Sequence, residues 1–106
     1  KNMRSIQAKY IVEMANGTIT SEAHEYLISQ DKVVLPDIIA NAGGVVVSYL
    51  EWLQNKAGEK WSEEEVNDKL GTYIKEAVSE MYAYSRLHTC SLSEAAFVLA
   101  IKRLVD

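Results

Sequence analysis

The sequence predicts an α/β fold: one βαβ unit with two parallel strands, then a long helix, then two further helices. Three observations carry this expectation. Two β-branched runs, Tyr10-Ile11-Val12-Glu13 and Val33-Val34-Leu35, flank a stretch with helical spacing. Turn signals, Asn16-Gly17 and Pro36-Asp37, close each run. Further on, Ser62-Glu63-Glu64-Glu65 and Ser91-Leu92-Ser93-Glu94 both have the form of a capping box ahead of an apolar pattern.

Taken in order, the first run reads as a strand from Tyr10 to Glu13. Thr20 is a good N-cap for the next segment, with Glu22 in its first turn and Ala23, Tyr26 and Leu27 as the apolar stripe. Val33 to Leu35 follows as the second strand. Parallel strands joined through a helix take a right-handed crossover. Asn41 to Asn55 is ambiguous. Val45-Val46-Val47 favours a strand on propensity, whereas Val46, Leu50 and Leu53 at i, i+4, i+7 favour a helix opening at Asn41-Ala42-Gly43-Gly44. The length without a breaker decides for the helix. After the Lys56-Ala57-Gly58-Glu59-Lys60 break, Val66, Leu70, Ile74, Ala77 and Met81 mark the next helix. The last helix is apolar on every side from Ala95 to Ile101, so it should be covered on most sides.

Two parallel strands do not make a stable sheet, and both runs are as continuously apolar as strands buried on two faces. The chain thus reads as the end of an α/β sheet without its beginning, an incomplete domain. Residues 1–57 would form the βαβ unit with its following helix, and 58–106 the C-terminal helices.

The chain has 106 residues, one small domain's worth, and about 26% of them are Ile, Val, Leu or Phe, which excludes a disordered segment. Eleven Lys and Arg against fifteen Asp and Glu give a net charge of −4, with no basic cluster to bind nucleic acid or an anionic membrane. The longest apolar run, Ala95 to Ile101, is far short of a membrane span. A single cysteine, Cys90, excludes an internal disulfide framework and fits a reducing, cytoplasmic setting.

Ligands of open parallel sheets bind beyond the carboxyl ends of the strands. Here those ends carry Ala15-Asn16-Gly17 and the stretch from Asp37 to Gly44, so both fall on one rim. Asn16-Gly17 reads as an ordinary turn or as an amide aimed at a ligand. Asn41, Val45 and Ser48 share one helical face, opposite Val46, Leu50 and Leu53. Asn41 is either a plain cap or a ligand contact, and Ser48 either a tolerated hydroxyl or a donor. His88 and Cys90 lack companions for a metal site or a nucleophile–base pair, with His24 the only other imidazole, so they read as structural. Trp52, Trp61 and the six tyrosines suit core or interface packing.

The residues Ile11-Val12-Glu13-Met14-Ala15-Asn16-Gly17, and then Val34-Leu35-Pro36-Asp37-Ile38-Ile39-Ala40-Asn41-Ala42-Gly43-Gly44-Val45-Val46-Val47-Ser48-Tyr49-Leu50-Glu51-Trp52-Leu53-Gln54-Asn55, strongly resemble the C-terminal part of glutamate dehydrogenase. The likeness continues through Trp61 to Asn67 and Ala95 to Arg103, and so covers nearly the whole chain. The resemblance implies part of a Rossmann-like cofactor domain in an enzyme interconverting L-glutamate and 2-oxoglutarate plus ammonia with NAD or NADP. It implies that Asn16 lies near the nicotinamide ribose and that Asn41 holds the nicotinamide carboxamide. Val45 would pack on the glutamate side chain, and Ser48 would bond its distal carboxylate. It also implies a homo-oligomeric parent, the family's common hexamer.

By the same resemblance the phosphate-binding glycines and the catalytic lysine and aspartate belong upstream of Lys1, leaving no catalytic residue and no metal ligand in this chain. Met14 stands where the family usually has glycine, and Ile19 and Ser21 where it often has proline. Two alternatives are a leucine-, phenylalanine- or valine-type dehydrogenase fragment and a non-catalytic interaction module derived from such an enzyme. Ser48 speaks against an apolar substrate.

Overall fold

A computed structural model describes residues 2–105. After a 3-10 turn at Met3–Ser5, the chain forms β1 (Tyr10–Val12), α1 (Ser21–Ser29) and β2 (Val33–Leu35). Four helices complete it: α2 (Asp37–Ala40), α3 (Ala42–Ala57), α4 (Glu63–His88) and α5 (Leu92–Val105). The strands are parallel, with Tyr10 opposite Val33, Ile11 opposite Val34 and Val12 opposite Leu35. The expected βαβ unit is therefore present. Its first strand ends one residue early, although the Glu13 N–H still donates to the Leu35 carbonyl at 3.1 Å.

The local signals act where they stand. Thr20 caps α1 by accepting from the Ala23 N–H at 3.3 Å, and the helix buries Leu27. The Ser62 hydroxyl accepts from the Glu65 N–H at 3.2 Å while the Glu65 carboxylate accepts from the Ser62 N–H at 2.7 Å. Ser91 and Glu94 repeat this exchange at 3.2 and 2.9 Å. Gly58 ends α3 with φ +69°, a left-handed conformation natural to glycine, and the Glu59 N–H bonds back to the Gln54 carbonyl at 3.0 Å.

Tertiary packing resolved the ambiguous segment as a helix. Leu50 is fully buried, and Tyr49 meets Tyr73 of α4 edge-on at 6.4 Å. Three consecutive valines are tolerated because their cost in a helix is only tenths of a kcal/mol each, about 0.5, less than a buried leucine contributes. The one-turn helix α2 was not expected. Pro36, with φ −70°, supplies a starting geometry, and the carbonyls of Pro36 and Asp37 accept the first helical bonds.

The strands stand as the end of a sheet without its beginning should: Val34 is 1% exposed, whereas Tyr10 is 68% and Val12 51% exposed. One expectation about covering is corrected. The last helix is not covered on most sides, since Ala95 and Ala96 are buried while Phe97 and Ile101 are each 57% exposed. The main core joins Met81, Ala95 and Ala96 with Leu35, Ile39, Tyr84 and Leu99, so α5 packs mainly on α4 and the end of β2. The radius of gyration is 16.3 Å, against about 13 Å for a compact domain of this length. The molecule is 52 Å long and only 19 Å thick, and it buries few side chains completely.

Candidate functional site

Beyond the carboxyl ends of β1 and β2, the two strands release their chains side by side because Val12 pairs with Leu35. The turn after β1 therefore faces α2 and the start of α3. Gly17 sits at φ +63°, and a Cβ there would meet nothing within 4 Å, so the backbone angle, and not crowding, calls for glycine. The Gly17 N–H donates to Asp37 Oδ2 at 2.8 Å. The other oxygen, Oδ1, accepts from the Ile38 N–H at 2.7 Å. Within the turn, the Thr18 hydroxyl reaches the buried Glu13 carboxylate at 3.3 Å.

Asn16 and Asn41 come together. The Asn41 amide nitrogen Nδ2 donates to Asn16 Oδ1 at 3.0 Å, across 25 residues of sequence. Asn41 occupies the junction of α2 and α3 with φ −99° and ψ 2°, and its own N–H donates to the Asp37 carbonyl at 2.8 Å. It stands at the N-cap position of α3 and makes no side-chain cap bond to that helix. The amide pair keeps an acceptor, Asn41 Oδ1, and donors on Asn16 Nδ2. Donor beside acceptor is the complement of a primary carboxamide.

Val45 and Ser48 continue the Asn41 face of α3. Val45 is 69% exposed and Ser48 is exposed, whereas Leu50 on the opposite face is buried. Among the described residues, Ser48 makes no back-bond to Gly44 of the kind that Thr72 makes to the Asp68 carbonyl. Its hydroxyl is open to an outside partner.

The remaining sequence candidates lie elsewhere. His88 stacks on Tyr84 with ring centroids 4.1 Å apart. Among the described residues no three His, Cys, Asp or Glu side chains form a group able to hold a metal. His24 Nε2 is within hydrogen-bond distance of the Ser93 hydroxyl, at 3.1 Å, and both residues line a cavity of about 940 Å³ between α1 and the α4–α5 corner. That cavity shares Gly17 and Asp37 with the rim, and Asn16, Asn41, Val45 and Ser48 do not line it. From the sequence, Asp37 takes a place in the second strand's stop and at the start of the rim stretch, with no partner for its side chain. Its position four residues before Asn41 was the available signal.

A sequence model of the Glutamate/Leucine/Phenylalanine/Valine dehydrogenase family matches residues 1–106. The chain belongs to this family. The NAD-specific glutamate dehydrogenase of Staphylococcus aureus (strain COL) is 42% identical to this dehydrogenase-family chain over 105 residues, 99% of this chain and 25% of the relative. The crystal structure of glutamate dehydrogenase from Peptoniphilus asaccharolyticus superposes with a TM-score of 0.92 at 37% identity, covering 96% of this chain and 26% of that one. The hetero-hexameric glutamate dehydrogenase from Thermus thermophilus, in its Leu-bound form, gives a TM-score of 0.90 at 34% identity, over 96% and 24%. This family member thus spans about a quarter of the length of the relatives it matches. Among its described residues no helix is long and apolar enough to cross a membrane.

Proposed function

We propose that this chain is the C-terminal part of the cofactor domain of an NAD-dependent glutamate dehydrogenase, interconverting L-glutamate and 2-oxoglutarate plus ammonia. Residues 1–57 supply the end of the sheet and one wall of the cleft, and 58–106 supply the helices that support it. The observation that carries this reading is the Asn16–Asn41 amide pair beyond the strand ends. Similarity to a dehydrogenase of S. aureus named as NAD-specific favours NAD over NADP.

In this reading Asn41 Oδ1 and Asn16 Nδ2 bond the carboxamide of the nicotinamide and its neighbouring ribose. They fix which ring face meets the substrate. When bound, NAD accepts the hydride, and the protein's part is orientation and electrostatics. One turn on, Val45 offers an apolar surface to the glutamate methylenes. Ser48, two turns into α3, donates to the distal carboxylate. The parent is an oligomer built from this chain together with the sequence that completes the domain. The exposed Tyr10 and Val12 of β1 are apolar surface for that further sequence to cover.

The test is Ser48→Ala in the full-length enzyme. A charge-assisted hydrogen bond contributes roughly 1.5–3 kcal/mol, so kcat/KM for glutamate should fall about ten- to a hundred-fold. Norvaline, which has no distal carboxylate, should lose far less. Parallel losses on both substrates would reduce Ser48 to scaffold and remove the glutamate assignment. The same experiment separates the leucine-, phenylalanine- and valine-type alternatives, whose apolar substrates have no use for the hydroxyl.

A further inference from the structure

We infer that Asp37 is the positioning residue that sets the Asn16–Asn41 pair, and through it the affinity for the nicotinamide cofactor; this rests on the reading of the pair as the cofactor contact. Asp37 is bonded to the main chain of both partners. Its carbonyl accepts the N–H of Asn41 itself, at 2.8 Å. Its carboxylate accepts the Gly17 N–H, also at 2.8 Å, and that N–H belongs to the peptide joining Asn16 to Gly17. Fixing this peptide plane fixes ψ of Asn16 and the positive φ of Gly17, and so the direction in which the Asn16 side chain leaves the turn.

The turn has few other restraints. The bonds of Thr18 run to Glu13 and Ala15, inside the same segment, and leave the turn free to swing as a unit. Only Gly17 to Asp37 and Asn16 to Asn41 cross to the second strand's side among the bonds made by Asn16 to Thr18 in the described residues. Of these two, the amide–amide bond is neutral and exposed. The carboxylate bond is charge-assisted, hence the stronger restraint. A carboxylate is also the side chain that suits both N–H groups at once, because its two oxygens are both acceptors. An asparagine at 37 would satisfy one N–H and turn an NH₂ toward the other.

The experiment uses the full-length enzyme, with KM for NAD, KM for glutamate and the Kd of NADH by fluorescence. Asn16→Ala, Asn41→Ala, Asp37→Ala, Asp37→Asn and the double variant Asn16→Ala/Asp37→Ala are compared. Asp37→Ala should raise KM for NAD and Kd for NADH about ten-fold, with KM for glutamate within about two-fold of the parent. Asp37→Asn, keeping one acceptor, should recover part of the loss. Because Asp37 acts through Asn16, the double variant should bind NADH little worse than Asn16→Ala alone.

Full additivity in the double variant would overturn the positioning role, as would equal rises in KM for both substrates. Unchanged NADH binding in Asn16→Ala and Asn41→Ala would instead overturn the cofactor reading of the pair. If Asp37→Ala fails to fold, the comparison rests on Asp37→Asn and its double with Asn16→Ala. No weakening of NADH binding in Asp37→Asn would then overturn the inference.

Discussion

The capping boxes of α4 and α5 and the rim beyond the strands both use side-chain oxygens as acceptors, from main-chain N–H groups in the boxes and from the Gly17 N–H and the Asn41 side-chain amide at the rim. They differ in reach. Ser62 with Glu65, and Ser91 with Glu94, are three residues apart, and each box closes as soon as its own helix starts. Gly17 and Asp37 are 20 residues apart, and Asn16 and Asn41 are 25. Those bonds exist only when β1 and β2 pair in register and α2 has formed. The helical half therefore starts each helix by local bonds, whereas the rim is a product of the tertiary fold.

Removing the surroundings tests the dependence of the rim most severely. The 106-residue chain alone should show no glutamate-dependent reduction of NAD above a buffer blank, a complete loss, because in the proposed reading it supplies one wall of the cleft and no acid–base group. Turnover by the isolated chain would mean that the rim is sufficient by itself.

A smaller effect concerns the sheet that holds the rim. Tyr10 and Val12 of β1, and Met14 just beyond it, are exposed, and a bare apolar strand recruits another. Sedimentation of the isolated chain should show dimers or larger species, and Val12→Lys should shift it toward monomer. A monodisperse monomer before the substitution would show that two strands suffice to hold the rim without a third.

The smallest effect is expected in the local half. In a peptide spanning residues 60 to 90, Ser62→Ala should remove about 1 kcal/mol of helix stability and lower the helical signal. The same peptide should respond to acid. The Ser62 main-chain N–H, and then its hydroxyl, hold the Glu65 carboxyl below its ordinary 4.5. A lowered folded-state value means the cap contributes fully above about pH 4.5 and is lost as pH falls through the lower value. Helicity should drop on that acid limb in the parent peptide and far less in Glu65→Gln. A pH-independent helix would show that the box is not self-sufficient.

What was legible in the residues follows the same division. Thr20, both capping boxes, the Gly58 break and the two strand runs carry their partners within four residues or in their own apolar pattern. Each was therefore readable, as was the shared face of Asn41, Val45 and Ser48, which follows from helical geometry alone. The family, too, was apparent from the run between Pro36 and Asn55. Three features were not legible, each for a physical reason. The covering of α5 depends on how many neighbours reach it, and it packs mainly on α4 and the end of β2. The single turn α2 has no periodicity to detect, being four residues long. The Asp37 tie depends on the pairing of Val12 with Leu35, which sets the turn after β1 against the residues after β2. Local sequence determined where helices begin and which faces they present. Strand register, with the single turn α2, brought Asn16 and Gly17 within hydrogen-bond distance of Asn41 and Asp37, because no signal within either segment records its distance from the other.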